Sequence, residues 1–236
     1  MANKIEKEIQ RIINDYNTVI ETVAKKAKTA KGRAYGGVIR SIIGELVQDI
    51  AKRLILISWA LLDKNPKRIS FPTDKIKVPI KKDYIEKIKN PEIKKFLLDN
   101  IGKCYYGQKT DLHMFVDEKF IMAIECKAYT ENAMIKRILV DFTLLKEPYP
   151  NLDCVLFQLE SQLGGDYSTL GNKILGSFPT HTLLSHFDID LHIITLLPGE
   201  RKVNQPIHIP KYYKPLTKES LHKAIQTFKE LLEKYQ

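Results

Sequence analysis

Thr110-Asp111-Leu112-His113-Met114-Phe115-Val116-Asp117-Glu118-Lys119-Phe120-Ile121-Met122-Ala123-Ile124-Glu125-Cys126-Lys127-Ala128-Tyr129 is the stretch whose reading decides the architecture. Residues 110–116 have the composition of a strand, Asp117-Glu118-Lys119 that of a hairpin turn, and 120–129 reads as a second, almost wholly apolar strand. Only Glu125 and Lys127 interrupt it. Alternation puts Ile121, Ala123, Glu125 and Lys127 on one face and Met122, Ile124 and Cys126 on the other. Unpaired charges in a strand made for burial are costly, so Glu125 and Lys127 need partners. Asp111 opens the preceding strand, and antiparallel pairing can bring it opposite the Glu125 region. Two carboxylates and an ammonium then meet at one sheet end. The plainer alternatives are a solvent-facing ion pair for Glu125 and Lys127, and a turn cap for Asp111.

Downstream, Met134, Ile135, Ile138, Leu139, Phe142 and Leu145 recur at helical spacing over 131–146, and Pro148 and Pro150 end that helix. Asp153 to Leu159 is a third strand, a Gly-rich loop at 164–168 leads to a weakly helical region near 167–176, and Leu191 to Leu197 is a fourth strand. A helix over 217–235 closes the chain. Upstream, Ile5, Ile9, Ile12, Ile13, Tyr16, Ile20 and Val23 predict an amphipathic helix over 3–28, which runs into the basic segment Lys25–Arg33. Gly36-Gly37 is expected to break the chain before a second helix at about 38–62. Residues 63–104 mix prolines and lysines, with one short helix near 91–100. The order β-β-α-β-α-β between helices implies an α/β fold with a mixed β-sheet flanked by helices. One domain spans 1–236: an N-terminal helix and basic segment (1–37), a core (38–197) and a C-terminal helix (198–236).

Asp111, Glu125 and Lys127 have the chemistry for hydrolysing a phosphodiester. Two carboxylates suit a hard cation such as magnesium, which keeps several waters and binds phosphate oxygens. A lysine beside them can orient water and neutralise charge that develops on the phosphate. At these residues the chain resembles the PD-(D/E)xK nuclease superfamily and, within it, the stand-alone type II restriction endonucleases. The pattern is Thr110-Asp111 followed by Glu125-Cys126-Lys127, with Thr110 where the family has proline. The resemblance implies a restriction-endonuclease-like core with an N-terminal helical extension. It also implies an acidic helix residue that supports the metal; Glu45 is the candidate and Asp49, one turn on, the alternative. A charged outer helix face explains both equally well.

The implied activity is a sequence-specific, Mg2+-dependent cut of both strands of double-stranded DNA, with Mn2+ as a substitute metal, by a homodimer. The apolar face of helix 3–28 could be the dimer seam or could close the core. A cognate DNA methyltransferase would belong to the same system without being a physical partner. Another nuclease of the superfamily, for repair or junction resolution, and a DNA-binding module that does not cut are the competing readings. His113 reads as an ordinary strand histidine outside the site. Thr130-Glu131-Asn132 reads as a helix start, able to bind phosphate or simply to begin a helix. The basic segment, the lysines of 75–95 and the loop 164–173 could contact DNA or could be ordinary surface.

The balance of 38 Lys+Arg against 28 Asp+Glu, +10 in all, favours a polyanionic partner. Cys104, Cys126 and Cys154 are odd in number and lack CxxC spacing, which argues against a disulfide scaffold or a Cys-rich zinc site. With no apolar leader and no apolar run of membrane-spanning length, a cytoplasmic protein that does not engage a membrane is expected.

Overall fold

The computed structural model describes residues 2–29, 32–168 and 176–235. Two long helices, α1 (Ala2–Thr29) and α2 (Gly32–Leu61), come first. Strand β1 (Ile69–Ser70) is followed by an inserted lobe of β2 (Ile76–Pro79), α3 (Lys82–Lys87), α4 (Pro91–Asp99) and β3 (Tyr105–Gln108). The core continues with β4 (Leu112–Val116), β5 (Lys119–Glu131), α5 (Asn132–Lys146), β6 (Asp153–Gln162), α6 (Phe178–Ser185) and β7 (Leu191–Thr195), and α7 (Lys218–Glu233) closes it.

The main sheet runs β1-β4-β5-β6-β7, and β2 and β3 form a separate two-stranded ribbon. β4 pairs antiparallel with β1 and β5, whereas β5, β6 and β7 are parallel. Parallel neighbours need a crossover, and α5 lies on the connection from β5 to β6. The mixed α/β sheet expected from the element order is therefore present.

Helices cover both faces of β5 and β6, which explains why the central stretches of these strands are largely apolar on both sides. Met122, Ile124, Cys126, Val155, Phe157 and Leu159 share one core with α1, α2 and α7. Ala123, Cys154 and Leu156 pack with Ile135, Ile138, Leu139 and Phe142 of α5. Strict alternation fails at one place. Met114 pairs with Met122 but Phe115 with Phe120, so a bulge leaves Ile121 over, and Ile121 joins the α2 side instead of the face of Ala123. The turn itself has two residues, Asp117 (φ 47°) and Glu118 (φ 65°), both left-handed as a type I′ hairpin requires. Arg68 grips the Asp117 carboxylate through Nε at 3.0 Å and Nη2 at 2.6 Å.

The break expected at Gly36-Gly37 does not occur, because α2 starts at Gly32 and runs through both glycines. Each glycine costs a helix about 1 kcal/mol. Burial of Ile39, Ile43, Leu46, Val47, Ile50, Leu54 and Ile55 along the same helix offsets that cost many times over. The apolar face of α1 is used within the chain: Ile9, Ile12, Tyr16, Ile20 and Val23 are buried in the core with α2 and α7. It closes the core and is not a free dimer seam. Arg53 of α2 ties the two helices together through Glu8 at 2.7 Å and Asp15 at 2.7 Å.

The segment between β7 and α7 is tied to α1 and to β6. Lys214 accepts a hydrogen bond on its carbonyl from the Tyr16 hydroxyl at 2.7 Å, and its ammonium pairs with buried Glu160 at 2.9 Å. Farther on, α7 packs over α2, where the Ser58 hydroxyl donates to the Ile225 carbonyl at 2.9 Å. The weak helix expected near 167–176 falls mostly on residues 169–175, outside the described residues. The helix of this region, α6, begins at Phe178, with Ser177 as its N-cap. Among the described residues no helix is long and apolar enough to cross a membrane.

Candidate active site

Register builds the site. Leu112 pairs with Ile124, so Asp111, one residue before β4, comes beside Glu125 and Cys126. The Cys126 backbone N–H donates to Asp111 Oδ2 at 2.8 Å, and the Lys127 ammonium donates to the same oxygen at 2.7 Å. Lys127 also donates to Glu125 Oε2. One ammonium thus bridges two carboxylates, one 16 positions back along the hairpin and the other two positions back on its own strand.

Electrostatics follow from burial. The Glu125 side chain is only 9% exposed. Burial pushes its carboxyl up from 4.5 to about 7; Lys127 opposes the rise and Asp111 adds to it. Burial would lower the Lys127 pKa, but Glu125 and Asp111 together outweigh it and hold the ammonium above its ordinary value. The buried Cys126 thiol is raised well above its usual range, chiefly by desolvation, and is a packed thiol and not a nucleophile.

The structure does not bring the two acidic helix candidates, Glu45 and Asp49, into hydrogen-bond contact with Asp111, Glu125 or Lys127. Glu45 is exposed and accepts from the Ser41 hydroxyl at 3.1 Å, one turn back on its own helix. Asp49 is held by Arg53 at 3.1 Å. The α2 side chain that reaches the site is Gln48, whose Nε2 donates to Asp111 Oδ1 at 3.3 Å. The physical reason is helical phase: Leu46, Val47 and Ile50 point into the core, and Gln48 lies on the edge of that face while Glu45 turns to solvent. A signal was present in the sequence, since Gly44, Gln48, Ala51 and Ile55 form one helical stripe with Gln48 as its polar member.

A cleft lined by Gln48, Phe71, Thr73, Lys109 and Asp111 opens onto the site. His113 is buried and its Nε2 accepts from the Thr110 N–H at 3.0 Å, while burial lowers its pKa and keeps the ring neutral. That histidine is a satisfied structural residue. Glu131 is the N-cap of α5 without a side-chain cap bond, and Asn132 accepts from Thr180 at 2.7 Å. Side chains of the basic segment from Lys28 to Gly37, and residues 169–173 of the Gly-rich loop, lie outside the described residues.

Asp111 and Glu125 already turn oxygens toward one shared cation, the Lys127 ammonium. A hard divalent cation bound by one or two carboxylates, with water completing its shell, fits that donor set. Among the described residues no group of three or more His, Cys, Asp or Glu side chains is placed to hold a metal, so the pair is the candidate.

The chain is 47% identical over 237 aligned positions to the type II restriction enzyme DdeI of Desulfomicrobium norvegicum, across 98% of this chain and 99% of that one. The chain belongs to the family of this restriction enzyme. Because the family match spans nearly both full lengths, it includes α1, the lobe between β1 and β4, and α7 as well as the sheet. No family model matches the chain, and no solved structure does.

Proposed function

We propose that the chain is a Mg2+-dependent type II restriction endonuclease of PD-(D/E)xK type, and that Asp111, Glu125 and Lys127 form its active site. The observation that carries this reading is the convergence of the two carboxylates on one ammonium, in a chain of a restriction-enzyme family. Asp111 and Glu125 would hold the metal. When bound, Mg2+ would withdraw charge from the scissile phosphate and favour deprotonation of the attacking water.

The other roles belong to the chain's own groups. Gln48 and the Cys126 N–H fix the Asp111 carboxylate from two sides, so its oxygens are set before substrate arrives. Lys127 orients the water and stabilises the negative charge that grows on the phosphate as one P–O bond forms and another breaks. Its raised pKa keeps it protonated for that task. Glu45, or Asp49 one turn on, remains the proposed acidic helix residue for supporting the metal, although each is held on its own helix, by Ser41 and Arg53 respectively.

Incubating the protein with plasmid and magnesium tests the proposal. Discrete fragments support a sequence-specific enzyme that cuts both strands, most simply as a two-fold dimer. A smear supports a nuclease without sequence preference, and tight binding without cleavage supports a DNA-binding module. Wild-type cleavage by Asp111→Ala or Lys127→Ala would overturn the site.

A further inference from the structure

Residues 71–109, between β1 and β4, carry ten lysines, five carboxylates and no arginine. Half of the chain's +10 excess therefore sits in about a sixth of its length. Among the described residues only Lys81 of the ten is ion-paired, to Glu147. Lys75, Lys77 and Lys103 are exposed around the β2–β3 ribbon, whose Ile76 and Val78 are buried against the α5 core. Lys77 Nζ sits 4.6 Å from the centre of the Tyr105 ring on the other strand, which fixes an ammonium on the outer face.

The ribbon is next to the cut. Gln108 ends β3 and Asp111 is three residues on, at most about 10 Å of chain. That distance is less than the width of one B-form major groove, about 12 Å, so a duplex with a phosphate at Asp111 comes within reach of the ribbon. We propose that the β2–β3 ribbon and its lysines are a sequence-blind clamp on the DNA backbone, which sets the duplex against the site; this rests on the nuclease reading above.

Residue chemistry separates clamping from base reading. Lysine ammoniums are point charges suited to phosphate, whereas base edges are read mostly by the bidentate Arg, Asn and Gln side chains. The lobe has no arginine, and its three amide side chains are occupied. Gln108 is buried, Asn90 caps α4, and the Asn100 amide donates to the Phe96 carbonyl at 2.9 Å.

The test uses the full chain carrying Lys75→Gln, Lys77→Gln and Lys103→Gln together. DNA affinity is measured in calcium, by fluorescence anisotropy over a salt series, on two duplexes of unrelated sequence, with sedimentation velocity alongside. The expected result is a salt slope shallower by about 0.9 for each phosphate that is no longer neutralised. Both duplexes should weaken by the same factor, and the plasmid fragment pattern should not change. An unchanged slope overturns the clamp, as does a weakening confined to one duplex. So does a drop in oligomeric state, which would make the lobe, with exposed Ile93 and Phe96 on α4, a seam for a second copy. Cleavage by the unmutated chain with an unchanged slope sinks only the clamp. A changed slope with no cleavage by the unmutated chain sinks only the nuclease reading.

Discussion

Glu125 is caught between a strand that excludes water and a lysine that wants its charge. Its carboxyl keeps a proton up to about 7, against 4.5 in the unfolded chain. The sign follows: its contribution to metal-free stability is full below the unfolded value and is lost as pH rises through the folded one. A cation needs the ionised form, so metal binding runs the other way. We expect the Mg2+-induced rise in Tm to grow between about pH 6 and about pH 8, and Glu125→Gln to abolish that growth. Calorimetry with and without magnesium decides it, and a pH-independent increment would refute the assignment. Gln48 allows a second prediction. Gln48→Ala leaves both carboxylates in place but frees Asp111 Oδ1, so plasmid cleavage should slow by about 10–100-fold, well short of the effect of Asp111→Ala. The meeting of Asp111, Glu125 and Lys127 was legible in the sequence because two charges in an apolar strand have few places to go. Gln48 left only a faint mark, as the one polar member of its helical stripe, because a neutral amide carries no such demand and stands between two carboxylates that look better suited to a metal.

At the scale of elements, the β4–β5 hairpin sets the register on which the site depends. Its turn places two bulky residues in the left-handed region, and Glu118 has no partner there comparable to the Arg68 grip on Asp117. Glu118→Gly should relieve about 1 kcal/mol and raise Tm by about 2–4 °C, read by thermal unfolding, with cleavage unchanged. The hairpin, α5 and β6 were readable because their patterns are local and long. The ribbon was not: Ile76 and Val78 alternate with lysine over only four residues, and the partner strand lies about thirty residues on, beyond two helices. The start of α2 was misjudged for a related reason, since glycine's local preference for a break is outvoted by packing that only the assembled helices supply.

For the molecule as a whole, α1 is the element whose role the sequence left open. Its buried face and the Arg53 pairs to Glu8 and Asp15 make it part of the core. Deleting residues 1–31 should therefore abolish cooperative unfolding, followed by circular dichroism. A truncated chain that melts cooperatively as a monomer would show that α1 serves assembly instead.

The bond from Tyr16 to Lys214 spans 198 positions, and the same lysine pairs with buried Glu160 of β6. During synthesis, at about 5–20 residues per second, α1 waits roughly 10–40 s for the residue that secures it. Throughout that interval α1 can pack against α2, but its contacts with α7 and with the segment before it must wait. The β4–β5 hairpin is made about a hundred residues before Lys214, so the candidate site's hairpin exists before this tie can form. The tie between Tyr16 and Lys214 is therefore a late contact, formed after the sheet it spans has been made.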